Sequence, residues 1–265
     1  MLSNFGGKKF DNGARLGTAA LDFLAASGLR ALRGALPQRC LLCTAASADA
    51  MLCADCHDAM PSMPPGCPRC GVASPGGAAC AACVVAAPPF SRTVAAWHYV
   101  FPADRLLQSF KYGATLALAD TFASVLGDVL VANGPPAVDI VVAVPLSRAR
   151  QRARGFNHAQ EIARRLARRM ELPLRNPLQR IRDTPPQAGL ARDARLRNVR
   201  GAYECTTPLP GLRIALVDDV MTTGATLGAA AAATLDAGAA RVEAWVVART
   251  PASAAPGPRG WPGLP

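Results

Sequence analysis

Apolar and polar positions alternate by element along most of the chain. Thr93 to Val100 reads as a strand and Pro102 to Phe110 as a short helix. Phe122, Val125, Leu126, Val129 and Leu130 recur at helical spacing. An apolar strand over Ile140 to Val144 precedes a helix over Ala159 to Met170, with Ile162, Leu166 and Met170 on its inner side. Four prolines, Pro173, Pro177, Pro185 and Pro186, mark 173–190 as irregular, and Ala191 to Arg200 follows as a basic helix. Arg213 to Val217 is a short apolar run, Ala225 to Ala237 an alanine-rich helix closed by Gly238, and Arg241 to Ala248 a further strand. Strands alternating with helices predict an α/β fold, a mostly parallel sheet with helices on both faces.

The pattern changes before Arg92. Residues 37–89 are rich in Cys, Pro, Gly and Ala and hold too few large apolar side chains for a core of their own, so they need a staple. The domains expected are therefore an amphipathic or disordered extension over 1–36, a double metal-binding module over 37–89, the α/β domain over 90–250 and a disordered tail over 251–265. Lys8 and Lys9 precede an apolar stretch, but Asp11, Asp22, Arg30 and Arg33 break it, which argues against a secretory signal. The uncharged stretches, Ser74 to Ser91 and Val220 to Leu235, are too short and too interrupted to span a bilayer, so no transmembrane segment is expected and the compartment is read as cytoplasmic.

Eight of the nine cysteines form four CxxC pairs: Cys40 and Cys43, Cys53 and Cys56, Cys67 and Cys70, Cys80 and Cys83. In a reducing compartment such pairs bind metal rather than form disulfides. A two-residue spacer lets one tight turn present two thiolates to a tetrahedral ion, and eight thiolates make two structural zinc sites, the first pair grouped with the second and the third with the fourth. Even pairs suit zinc better than an iron–sulfur cluster. Gly71, directly after Cys70, suits a knuckle turn at positive φ. Cys205 stands apart and reads as a small core residue.

The net charge of +11 is concentrated between Arg148 and Arg200, where fifteen arginines stand against four acidic residues. An anionic partner is expected there, a polyphosphate or a nucleic acid, against the alternative of a solvated helix face.

The segment Ile214 to Thr226 carries the most chemistry. Its apolar run ends in Asp218 and Asp219; Val220, Met221, Thr222, Thr223 and Gly224 then lead into a helix beginning at Ala225 and Thr226. The first turn of a helix exposes unpaired amides and the positive end of its dipole, so a phosphate fits there. Gly224 and Ala225 allow close backbone approach, and the hydroxyls of Thr222, Thr223 and Thr226 add donors. Two acids one step upstream suit the vicinal hydroxyls of a ribose, directly or through Mg²⁺. The blander reading makes the acids a strand end and the threonines a helix cap. Neither GxxxxGK[ST] nor GxGxxG occurs.

This segment resembles the phosphoribosyl pyrophosphate motif of type I phosphoribosyltransferases. With Phe110 to Gly113 (FKYG), Val144 to Leu146 (VPL), Arg154 to Asn157 (RGFN), and Gln187 onward with Arg195 and Asn198, the chain resembles the ComF family of competence-associated, phosphoribosyltransferase-like proteins over roughly residues 37–250. The resemblance implies a type I phosphoribosyltransferase-like sheet behind a zinc module. It implies that Asp218 and Asp219 are the catalytic pair holding ribose, and that Thr222, Thr223, Gly224, Ala225 and Thr226 hold the 5-phosphate. Ser147 and Arg148, in the loop after the Ile140 strand, would hold pyrophosphate, with Lys111, Arg150, Arg152 and Arg154 as further cations. Thr222 stands where purine-salvage transferases of this pattern carry an acid.

Two functions follow from the resemblance. One is Mg²⁺-dependent binding of phosphoribosyl pyrophosphate, with or without transfer to an acceptor. The other is a non-catalytic factor that grips single-stranded DNA through its zinc module and Arg-rich surface during uptake beside competence proteins, although Phe156 is the only Phe, Tyr or Trp between Arg148 and Arg200.

Overall fold

The computed structural model describes residues 38–47, 51–113, 115–182, 199 and 201–251. The expected extension, the terminal tail and the basic helix over 191–200 fall almost wholly outside them, as do the side chains of Arg148 and Arg154. The chain divides into two compact units, Met1–Asp58 and Ala59–Pro265.

In the first unit, β1 (Gln38–Arg39) pairs antiparallel with β2 (Ala46–Ser47), and α1 (Ala54–Asp58) follows. The turn between the strands is closed by Cys40 N–H donating to Ala45 O and Thr44 N–H to Cys40 O. Both ends of the loop thus converge on the Cys40 backbone, and the first CxxC pair is presented from that turn.

The second unit begins with the Cys67–Cys83 knuckles and α2 (Ala81–Val85), then builds the sheet. Its strands are β3 (Arg92–His98), β4 (Ile140–Ala143), β5 (Leu174–Arg175), β8 (Arg213–Met221) and β9 (Arg241–Arg249), in the order β3-β9-β8-β4-β5, and each neighbouring pair is parallel. The helices between them are α3 (Ala103–Tyr112), α4 (Leu118–Ala132), α5 (Arg148–Arg154), α6 (His158–Arg169) and α7 (Ala225–Asp236). Ile214 and Leu216 of β8 pack in one cluster with Leu227, Ala230 and Ala231 of α7. Ala215 and Val217 project to the other face by strand alternation. α4 and α6 pack on each other, α4 beside β3 and β9 and α6 beside β4 and β8. The expected mostly parallel sheet with helices on both faces is what forms.

Burial on α6 follows the predicted period: Ile162 and Leu166 are fully buried. Its basic face is largely paired. Arg165 bonds Asp120 at 2.7 Å and Glu161 at 2.7 Å, Arg164 bonds Glu161 at 2.8 Å, and Arg169 bonds Asp128 at 2.5 Å. These three arginines therefore belong to the solvated-face reading of the basic stretch.

Three elements differ from expectation. β8 runs on through both aspartates to Met221, because β9 pairs alongside it to the end, Met221 opposite Arg249. Residues 174–180 are ordered strands: β5 extends the sheet, and β6 (Leu178–Arg180) pairs antiparallel with β7 (Tyr203–Cys205). Pro173 and Pro177 each sit just before a strand, where a missing N–H breaks no ladder. The segment after β4 is helical from Arg148 onward, with Ser147 as its N-cap. Cys205 packs, partly buried, against the α7 core cluster.

Candidate functional site

The eight cysteines form two groups, Cys40, Cys43, Cys53 and Cys56 in the first unit and Cys67, Cys70, Cys80 and Cys83 in the second, with the sulfurs of each group within 4.8 Å of one another. The nearest-neighbour grouping holds. Cys43 Sγ lies 3.6 Å from Cys53 Sγ, and Cys70 Sγ 3.6 Å from Cys80 Sγ. Four sulfurs at about 2.3 Å from a tetrahedral ion stand roughly 3.8 Å apart, so both groups fit zinc, and four thiolates leave no coordination position for a substrate. His57 pairs with Asp58 at 3.2 Å and is outside the first group. Gly71 does take positive φ, 68°, and a Cβ there would meet Thr93 Cγ2 at 3.1 Å.

The second group is sewn to β3 and β9. His98 N–H donates to Pro61 O, Thr93 N–H to Pro68 O, and Thr93 Oγ1 to Arg69 O at 2.5 Å. Arg249 Nε, at the end of β9, donates to Cys70 O at 2.9 Å.

At the C-terminal end of the sheet a cavity of about 210 Å³ gathers residues from six segments. Asp218 and Asp219 enter it from β8, Thr222 and Thr226 from the β8–α7 turn and first helical turn, and Lys111 from α3. Arg150 of α5, Asn157 and His158 at the start of α6, Arg180 of β6 and Tyr203 of β7 complete the polar wall. Thus most of the basic candidates that can be placed converge with the acids, whereas Thr223, Gly224, Ala225 and Ser147 do not line the cavity. Gly224 shapes the turn: its φ is 79°, a conformation that costs a Cβ-bearing residue, and its carbonyl accepts from Gly228 N–H at 2.7 Å. Thr223 Oγ1 accepts from Ala225 N–H at 3.3 Å, so that hydroxyl caps α7. Ser147 is buried, and its Oγ accepts from Arg150 N–H at 3.4 Å, which caps α5.

The RGFN segment is the joint between two helices. Gly155, at φ 78°, ends α5; Asn157 Oδ1 accepts from Ala159 N–H at 3.1 Å to start α6, while its Nδ2 donates to Val144 O. Phe156 packs against the His158 ring, centroids 4.5 Å apart, and Phe110 meets that ring edge-on at 5.0 Å. FKYG and RGFN therefore meet in one aromatic cluster behind the cavity.

Electrostatics of the acids are set by their neighbours. Burial, then repulsion by Asp219, pushes the Asp218 carboxyl up to about 7. Asp219 bonds Lys111 Nζ at 2.9 Å, with both side chains largely buried. Burial acts to lower the Lys111 value, but the Asp219 carboxylate outweighs it and holds the ammonium above its ordinary value. Burial drives the Tyr203 phenol up to about 12, with the Arg180 guanidinium 5.5 Å over its ring opposing that rise. Arg180 lies in the proline-marked 173–190 stretch, where the alternation of Leu178–Arg180 is too short to signal a strand, and Tyr203 lies in an equally short strand outside every motif.

Among the described residues no helix is long and apolar enough to cross a membrane. Residues 31–84 match the double zinc ribbon domain. The DNA utilization protein YhgH of Salmonella typhi is 34% identical over 168 residues, covering 62% of this chain and 74% of that protein. Competence protein F of Haemophilus influenzae is 31% identical over 170 residues, 61% of this chain and 74% of that protein. Competence protein ComFC of Bacillus subtilis is 31% identical over 145 residues, 54% of this chain and 58% of that protein. With identity above 30% across 74% of its YhgH and competence protein F relatives, the chain belongs to the ComF family.

Proposed function

We propose that the β8–α7 cleft binds 5-phosphoribosyl pyrophosphate together with Mg²⁺, and that the protein acts in the handling of DNA during uptake, as a phosphoribosyltransferase-like member of its family. The observation that supports this most is the meeting of Asp218 and Asp219 with Thr222, Thr226, Lys111 and Arg180 around one cavity. Acids alone would repel a polyphosphate and cations alone would not select a sugar; the two together suit a ligand with hydroxyls at one end and phosphates at the other.

In this reading Asp218 and Asp219 accept hydrogen bonds from the ribose hydroxyls. Thr226 and the first-turn amides of α7 that follow Ala225, whose own N–H is held by Thr223 Oγ1, take the 5-phosphate, helped by the helix dipole. Arg150 and Arg180 face the pyrophosphate, and Lys111, by holding Asp219, limits the repulsion between the acids and that group. Two carboxylates, one of them strained by the other's charge, are a suitable donor set for a hard divalent ion shared with the substrate's own oxygens. Mg²⁺, when bound, neutralises charge that gathers on departing pyrophosphate. Tyr203, with its phenol pushed up to about 12, stays protonated and serves as a donor rather than a base.

Isothermal titration of the full chain with phosphoribosyl pyrophosphate and Mg²⁺ tests this reading. Saturable binding that falls at least tenfold in Asp218→Asn with Asp219→Asn is expected; no heat in the wild type, or unchanged affinity in the double variant, rejects it.

The names of the relatives, a DNA utilization protein and competence proteins, favour a second use of the same protein, contact with single-stranded DNA. Arg164, Arg165 and Arg169 of the α4–α6 face are already engaged by carboxylates and are not counted toward it. Affinity for short single strands would then fall steeply with salt. Micromolar protein that shifts no strand at low salt removes this use and leaves the cleft reading untouched.

A further inference from the structure

Arg249 is the last residue of β9 and is 5% exposed. Its guanidinium reaches in two directions. On one side Nε donates to Cys70 O at 2.9 Å, the carbonyl of a ligand in the second cysteine group. On the other, the two N–H groups of Nη1 are shared among four acceptors, Met221 O at 3.1 Å, Thr222 O, and the carbonyl and hydroxyl of Thr250 at 3.0 and 3.1 Å. Thr250 reinforces the same point, its N–H donating to Met221 O at 3.0 Å and its Oγ1 to Thr222 O at 3.3 Å. Thr222 lines the cavity, and two residues later Gly224 starts the helix at positive φ.

One side chain thus fastens the backbone that carries a zinc ligand to the backbone that shapes the sugar-phosphate cleft. A planar fork with five N–H groups can serve several carbonyls at once; a lysine, with three donors on one atom, cannot span them. Hydrogen bonds from Thr93 hold the first turn locally, and a shared ion ties that turn, with Cys67 and Cys70, to the separate turn that carries Cys80 and Cys83.

We propose that Arg249 is a positioning residue that couples zinc at the second cysteine group to ligand affinity in the β8–α7 cleft. The proposal rests on the cleft reading above and adds the route by which the zinc module matters to it. Zinc fixes the Cys70 carbonyl, the carbonyl fixes the guanidinium, and the guanidinium fixes the Thr222 peptide. Coupling of this kind is reciprocal: a ligand that orders the Thr222 turn must also hold the second zinc more tightly.

The test uses the full zinc-loaded chain carrying Cys43→Ser, which takes a ligand from the first group so that the zinc counted comes from the second. Zinc affinity is measured by equilibrium competition with a chromophoric chelator, with and without phosphoribosyl pyrophosphate and Mg²⁺, and affinity for that ligand is measured by titration. Zinc affinity is expected to rise about fivefold or more when the ligand is bound, the lower end of ordinary coupling between sites. Adding Arg249→Met is expected to abolish the rise and weaken the ligand about tenfold. Arg249→Lys, which retains the charge and the stem, should behave like Arg249→Met if the fork is what matters, and it carries the comparison should Arg249→Met lose its cooperative unfolding. Ligand binding with zinc affinity unchanged overturns the coupling and leaves the cleft reading intact. A rise that survives both Arg249 substitutions overturns Arg249 as the link. Absence of ligand binding before any Arg249 change overturns the cleft reading and the coupling with it.

Discussion

The Lys111 ammonium lies 2.9 Å from the Asp219 carboxylate, joining the end of α3 to the end of β8. Asp218, on the opposite face of the strand by alternation, is pushed up by burial and by Asp219, with Lys111 and Arg180 pulling the other way. Adjacent acids are thereby given different environments, one neutralised by a partner and one left to hold a proton.

Replacing Lys111 with Met should strand the Asp219 charge beside Asp218. The expected loss is on the order of 2–3 kcal/mol, somewhat below that for breaking a fully buried pair because both side chains retain some solvent contact. Urea unfolding measures it. Lys111→Met together with Asp219→Asn should recover most of the loss, and a double variant no more stable than Lys111→Met would disprove the pairing as its cause.

Asp218 gives the pH dependence. Its folded-state value, about 7, lies above the ordinary value near 3.9, so the folded chain holds a proton between those limits that the unfolded chain has released. Stability from this group is full below about pH 4 and is lost as pH rises toward 7. Ligand binding runs the other way, because Mg²⁺ and ribose hydroxyls need the carboxylate: affinity for phosphoribosyl pyrophosphate with Mg²⁺ should rise between pH 6 and 8 with release of a proton. Titration in buffers of different ionisation heat reads that proton directly, and Asp218→Asn should abolish it.

Gly224→Ala forces a side chain into the left-handed region at φ 79°. No atom blocks the new Cβ closer than 3.6 Å from Phe90 Cζ, so conformational strain rather than a clash sets the cost, about 1–2 kcal/mol. Thermal unfolding should show that modest loss, while ligand affinity should fall more than tenfold because the α7 amides no longer converge. Equal effects on stability and binding would argue that the turn has no part in anion capture.

Metal content separates the two cysteine groups. Wild-type protein should carry about two zinc ions per chain and Cys43→Ser about one, by elemental analysis. Cys83→Ser, at a buried ligand knitted to β3 and β9 through its group, should also lower the unfolding temperature of the 59–265 unit, whereas Cys43→Ser should leave that transition in place.

The zinc groups and the acid–threonine turn were legible in the residues because each is written locally: CxxC spacing and a strand–turn–helix step both act within a dozen positions. The helix registers were legible for the same reason, as Ile162 and Leu166 show. Arg180, Tyr203 and Arg249 were not. Their roles arise from pairing across long separations, as in the 179-residue interval between Arg249 and Cys70, which no local period reports. That Ser147 caps a helix beginning at Arg148 is likewise invisible to a local period, because α5 is short.

β3 is the outermost strand on its side of the sheet, and two of its backbone N–H groups, those of Thr93 and His98, donate to Pro68 O and Pro61 O. The knuckles therefore act as a guard rail against intermolecular strand addition. Stripping the second zinc would uncover a ready template for self-association, so that metal starvation would be felt first as loss of soluble protein.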